Sequence, residues 1–172
     1  MPTTFHLRVW TRFLAPPDQV WLLKTDPAAL AAEFRPFLSL RVGDPRPLAD
    51  ALDRGEPATV DARLCPRGLP FGVRWPIHLR GGTRPTVYTD ASENRIYSRF
   101  EHEHRFEPTS DGCRYLDAVT FVPALPASKL VAILTRRFFV HRHTVAARRL
   151  PSDPQATGVS VLRVLVEAEW VS

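Results

Sequence analysis

Seventeen prolines punctuate this 172-residue chain, about twice the ordinary share. Proline is excluded from helix interiors and central strands, so long elements fit only in the proline-free windows. The longer windows are residues 3–15, 86–107, 109–122, 127–150 and 155–172. In the first, Phe5, Leu7, Val9 and Phe13 alternate with His6, Arg8, Trp10 and Arg12, the period of a half-buried strand with its phenylalanine face inward. Next, Ala15-Pro16-Pro17-Asp18 turns into a short helix over Gln19-Val20-Trp21-Leu22-Leu23. A second helix opens at Asp26, its N-cap, with Pro27 in the first helical position.

Residues 37–57 carry no clear pattern. Beyond them, Val60, Ala62 and Leu64 share one strand face, and Val73, Trp75, Ile77 and Leu79 share another, with Pro76 placing a bulge or an edge in the second. Gly81-Gly82 reads as a turn, and residues 86–89 as a short strand before a turn over 90–94. The clearest alternation follows: Ser98, Phe100, His102, His104 and Phe106 on one face, Arg99, Glu101, Glu103, Arg105 and Glu107 on the other. A turn at 108–112 returns the chain as a hairpin partner over 113–122. The window 127–150, roughly 36 Å long as a helix, alone has helical period: Leu130, Leu134, Phe138, His141 and Val145 form one stripe. The order predicts an α+β fold in which a curved antiparallel β-sheet wraps one long C-terminal helix, with two short helices after the first strand. The length suits one domain. A C-terminal extension, residues 151–172, follows; its β-branched content favours an extra strand that caps the domain or pairs with another chain.

Several classes lose support. Cys65 and Cys113 make neither a CxxC pair nor a disulfide framework, and the glycines and histidines supply no GxGxxG, Walker, GxSxG or HExxH motif. No stretch approaches the ~18 apolar residues of a membrane span, and the first residues lack an apolar leader, so a cytoplasmic setting is expected. The net charge of +5 is local: residues 128–150 hold Lys129, Arg136, Arg137, Arg142, Arg148 and Arg149 without an acid, leaving −1 for the remainder. Solvated helix charge explains this, and Phe139 and Val140 beside the arginines add the expectation of peripheral contact with anionic lipid. The aromatics are not interleaved with arginines on one surface, so nucleic acid is not an expected partner.

His102 and His104, two apart on a strand, point to one face between Phe100 and Phe106, and His141 on the helical stripe is expected to face them across a cavity. Three readings stay open for these histidines: a zinc set, polar anchors or acid/base groups in an apolar pocket, or interior histidines bonded to backbone or Asp117. Cys113 reads as a small buried hydrophobe, and Trp10 and Trp21 as packing or surface residues.

The order of elements resembles the SRPBCC superfamily, whose helix-grip fold is shared by START lipid-transfer domains, birch-pollen-allergen (Bet v 1) proteins and polyketide cyclases. The motifs that carry the resemblance are Ala15-Pro16-Pro17-Asp18-Gln19-Val20-Trp21 leading to Thr25-Asp26-Pro27, and Phe100-Glu101-His102-Glu103-His104-Arg105-Phe106. To these are added Asp111-Gly112-Cys113-Arg114-Tyr115-Leu116-Asp117-Ala118-Val119 and Phe139-Val140-His141-Arg142. They look like those of bacterial members, and the resemblance assigns residues 1–150 to one helix-grip domain. Residues 159–170 lie beyond the helix that ends such domains, and residues 43–55 are longer and richer in proline than a simple link. The resemblance implies a cavity lined by Phe34, Trp75, Phe100, His102, His104, Phe106, Leu134, Phe138 and His141, with neither metal nor cofactor. It implies binding of a hydrophobic small molecule or lipid more than catalysis. The alternatives are a cyclase or dehydratase using His102, His104 or His141 as acid/base, and an interaction protein with a filled cavity that forms a homodimer through its C-terminal tail.

Overall fold

The computed structural model describes residues 3–150 and the backbone of residues 161–170. The chain begins with β1 (Phe5–Phe13), whose Phe5, Leu7, Val9, Thr11 and Phe13 all point inward. Helices α1 (Pro17–Thr25) and α2 (Pro27–Glu33) follow; the Asp26 carboxylate accepts from Ala28 N and Ala29 N and so starts the second. Asp26→Ala should cost about 1 kcal/mol in urea unfolding, the ordinary value of such a cap; an unchanged midpoint would show that Pro27 alone starts the helix.

The apparently unpatterned stretch contains β2 (Leu38–Val42) and α3 (Arg46–Arg54). Pro47 lies in the first turn of α3, where its missing N–H is harmless, and Ala51 and Leu52 anchor the helix to the core. The strand expected around residues 60–64 is two strands, β3 (Ala58–Val60) and β4 (Ala62–Pro66), in different sheets. The next is likewise divided at Trp75-Pro76 into β5 (Val73–Arg74) and β6 (Ile77–Thr83). Gly81 and Gly82 are not a turn. They lie within β6 at a register shift against β7 (Val87–Ser92), and a Cβ on Gly82 would stand 2.3 Å from the carbonyl oxygen of Val87. The turn falls at 83–86, closed by Thr86 N donating to Thr83 O. Asp90 therefore belongs to a strand, and Asn94 makes the next turn by accepting from Ile96 N and Tyr97 N.

Strands β8 (Tyr97–Thr109) and β9 (Gly112–Pro123) form the long hairpin, with Phe100, His102, His104 and Phe106 inward. Ser98 is exposed instead, because a register shift between Tyr97 and Arg99 gives the inward position to Tyr97. The long helix is α4 (Ser128–Ala147). Its buried face is not the expected stripe: Val131, Ala132, Thr135, Phe139, Arg142, His143 and Ala146 are buried, whereas Leu130 and Leu134 are 55% and 54% exposed. Phe139 is thus in the core, Val140 is half-buried, and Arg142 is an interior cation. Last, β10 (Val161–Trp170) pairs antiparallel with β1 of its own chain.

The main sheet is curved, antiparallel and seven-stranded, in the order β10-β1-β9-β8-β7-β6-β3, and β2-β4-β5 form a second, small sheet. Helix α4 packs on β1 and β9 and against α2. Among the described residues no helix is long and apolar enough to cross a membrane. The interior holds two apolar clusters: one gathers Phe13, Trp21, Leu79, Tyr88, Phe106 and Tyr115, the other Phe5, Val9, Tyr97, Phe100, Phe121 and Phe139. Each fully buried side chain of this size stabilises the fold by ~1.5–3 kcal/mol. Between them runs a polar belt, because the middle inward positions are Thr11 on β1, Asp117 on β9, His102 and His104 on β8, and His143 on α4.

Candidate functional site

Asp117 is the centre of that belt and is fully buried. Tyr115 Oη donates to its Oδ1. His143 Nε2 donates to Oδ2 at 3.1 Å, while His143 Nδ1 meets Thr11 Oγ1 at 2.8 Å. His104 Nδ1 lies 2.7 Å from Tyr115 Oη and 3.0 Å from Asp117 Oδ1, and its Nε2 donates to Asp90 Oδ2 at 3.1 Å. His102 Nε2 is 3.1 Å from Asp117 Oδ1 but off the alignment of a hydrogen bond, and its Nδ1 is 3.6 Å from Asp90 Oδ2.

The environment separates the charges of these groups. Burial alone would raise the Asp117 carboxyl, but His102 and His104 outweigh it and hold the group well below the ordinary carboxylate range. Asp90 is lowered in the same way, burial being overcome by His104 and then His102. Burial pulls His104 down, yet Asp117 and Asp90 on either side prevail and raise it. His102, beside that charge, is pushed by burial and by His104 down to about 4. His143 is lowered by burial against the pull of Asp117. The two imidazoles are therefore driven apart, His104 toward its protonated form between two carboxylates and His102 toward its neutral form.

A second buried group sits where α1, α2 and α4 meet. Glu33 Oε1 accepts from Lys24 Nζ at 2.5 Å and Oε2 from Arg142 Nε at 2.9 Å, with all three side chains at most 6% exposed. Among the described residues the two Nη groups of Arg142 make no hydrogen bond, and its guanidinium lies 5.3 Å from the Phe139 ring centroid. Burial lowers Lys24, whereas Lys24 and Arg142 overcome burial at Glu33 and keep it ionised.

Both polar groups border one cavity of about 420 Å³ between sheet and helix. Its walls are mostly apolar, including Phe34, Leu64, Trp75, Ile77, Leu79, Phe100, Leu134, Phe138 and Phe139. Its polar lining includes Lys24, Tyr88, Asp90, Tyr97, His102, His104, Thr135 and Arg142. Tyr97 donates to Thr135 Oγ1 at 2.6 Å, and Thr135 donates onward to Val131 O. The cavity is thus not filled by the core, contrary to one of the readings above.

Of the residues expected to line it, Phe34, Trp75, Phe100, His102, His104, Leu134 and Phe138 do so. Phe106 does not: it packs at 5.1 Å from Trp21 and 5.0 Å from Tyr115, inside the other apolar cluster. His141 does not face His102 and His104 either. It is half-buried, bonds Arg35 O through Nε2 and lies edge-on to Phe37, because the helix is rotated by about one position from the expected stripe. The histidine on the inner face is His143. Cys113 is buried, and its thiol is pushed by burial and by Glu107 up to about 12, so it is inert as a nucleophile. Lys24, Glu33, Tyr88, Asp90, Tyr97, Thr135, Arg142 and His143 escaped the sequence reading. The detectable signal was a polar residue at an inward position of an apolar alternation, as with Asp90 two residues after Tyr88.

Solved structures share this fold. ZhuI aromatase/cyclase from Streptomyces sp. R1128 is 16% identical, with a TM-score of 0.65 over 88% of this chain and 98% of that one. A protein from Chromobacterium violaceum is 14% identical, with a TM-score of 0.61 over 84% and 98%. Ara h 8, a Bet v 1 allergen, is 12% identical, with a TM-score of 0.58 over 83% and 95%. At these identities the likeness shows the fold alone, which is the helix-grip fold. A search of curated proteins finds no match. The model of one family, a domain of unknown function (DUF8410), matches residues 11–150, most of the chain, and this chain belongs to that family.

Proposed function

We propose that this protein binds a largely apolar small molecule, bearing an oxygen-containing polar end, between sheet and α4. The observation that carries the reading is the cavity of about 420 Å³, whose apolar walls converge on a small polar set. That volume and composition are those of small-molecule sites. Arg142 lines the cavity with only its Nε engaged, which suits an acceptor oxygen on the ligand. Leu125 and Leu134 line the cavity while also exposed, so its mouth is apolar. ZhuI is an aromatase/cyclase, and one observation favours a related second reading: the imidazole of His102 stands at the cavity wall 3.6 Å from the Asp90 carboxylate, in reach of a proton on a bound molecule. In that case His102→Ala abolishes turnover of a polyketide-like substrate; in a carrier it alters selectivity alone.

Native mass spectrometry and solvent extraction of purified protein should reveal a bound organic molecule, and the stripped protein should bind anilinonaphthalene sulfonate. Trp75 lines the cavity, 5.6 Å from the Tyr97 ring and 5.4 Å from the Phe100 ring. Its fluorescence should change on binding, and Trp75→Phe should remove that change while binding persists. Leu64→Trp, which narrows the cavity, should weaken the probe at least ~10-fold, a loss of about 1.4 kcal/mol. Absence of both a bound molecule and probe binding would overturn the proposal.

A further inference from the structure

Strands β7 and β8 place a carboxylate and two imidazoles, side chains of the kind that ligate metals, on one face. Asp90 stands directly opposite His102 in their register, and Tyr88 opposite His104, so the carboxylate and both imidazoles project from adjacent, hydrogen-bonded strands. Asp90 Oδ2 lies 3.1 Å from His104 Nε2 and 3.6 Å from His102 Nδ1. One donor atom of each residue is within 4.8 Å of the other two. Around a tetrahedral ion with bonds of ~2.0–2.1 Å, ligand atoms stand about 3.3 Å apart. The two measured edges bracket that spacing, and all three residues line the cavity.

The opposite nitrogens of the two rings supply an independent observation. His104 Nδ1 and His102 Nε2 both approach Asp117 Oδ1, at 3.0 and 3.1 Å, and Tyr115 Oη stands 2.7 Å from the first. Asp117 is fully buried and does not line the cavity. A carboxylate behind a metal-bound imidazole fixes its tautomer and strengthens it as a ligand, and here one carboxylate backs both. His102 Nε2 is buried without an aligned acceptor; an ion on Nδ1 would orient the ring so that Nε2–H meets Asp117.

We propose that Asp90, His102 and His104 form a two-histidine, one-carboxylate site for a divalent transition metal, with an open coordination position toward the cavity; the ion displaces to solvent the proton that His104 Nε2 otherwise donates to Asp90. Two imidazoles and one carboxylate suit Zn²⁺, Fe²⁺ or Co²⁺ over Mg²⁺ or Ca²⁺. The open position takes water or an oxygen of a molecule in the cavity. The site rests on the ligand atoms alone and stands whether or not the cavity binds an apolar ligand.

The 172-residue protein, stripped with a chelator, should bind Co²⁺ one to one, with a visible absorption band, and Zn²⁺ should displace it. His102→Ala and Asp90→Asn should each weaken Co²⁺ at least ~100-fold, and Asp117→Asn ~10–100-fold, in variants whose circular dichroism shows them folded. The exposed His78, bonded to Thr59, is the control: His78→Ala should bind as the parent does. Failure of the folded parent to bind either ion at about 100 μM would overturn the proposal. So would binding that survives both His102→Ala and Asp90→Asn.

Discussion

Glu33→Ala should destabilise the protein by about 3–5 kcal/mol, because it leaves Lys24 and Arg142 buried without their counter-ion. Both cations lie inside, with side chains at most 6% exposed, and Glu33 is the acceptor for each. For a chain of this length a loss of that size lowers the melting temperature by on the order of 10 °C. Glu33→Gln keeps the volume and should still lose more than half as much. Replacing all three residues together with apolar ones of similar size should recover most of the loss, since the penalty lies in the orphaned charge. Urea unfolding of the four proteins decides the matter: a Glu33→Ala midpoint close to that of the parent would mean that the cations escape to water. The acid side carries a signature too. Glu33 is held below its ordinary 4.5, so its contribution is full above that value and fades as the pH falls through its folded-state value. In Glu33→Gln that part of the acid limb should disappear.

Asp117→Leu should cost a similar ~3–5 kcal/mol, for a different reason. It strands the donors that converge on one carboxylate: Tyr115 Oη, His143 Nε2 and the near imidazole edges of His102 and His104. Most of that loss is the price of unpaired buried donors, so adding His143→Leu should restore part of it, and the pair should be less destabilised than the sum of the singles. Strict additivity in a double-mutant cycle would show that His143 and Asp117 do not act as a unit.

These two clusters also explain where sequence reading succeeded and where it failed. Strands β1, β8 and β9 were legible because their alternation is long, and the Asp26-Pro27 helix start because its chemistry is local. The face of α4 was misplaced because Thr135, Arg142 and His143 are polar and buried, while Leu130 and Leu134 are apolar and exposed; apolar periodicity follows chemistry, and here the core takes cations. Gly81-Gly82 mimicked a turn because glycine serves equally where two backbones come too close for a Cβ. Of the site, the HxH face, Phe34, Trp75, Phe100, Leu134 and Phe138 were legible at the level of cavity lining. Asp90 and Arg142 were not, since their burial depends on strand register and helix rotation, which short windows do not encode.

The Lys24, Glu33 and Arg142 cluster has a bearing on descent. Its members come from three helices, Lys24 and Glu33 nine residues apart and Arg142 109 residues beyond Glu33, and each is expected to suffer from loss of its partner. A lineage that drops the acid is left with two stranded cations until both are also replaced, so single steps through that intermediate are selected against. Across related chains the three positions should therefore change together or stay fixed, whereas an apolar residue of the cavity wall, which orphans no charge when replaced, should be able to change alone.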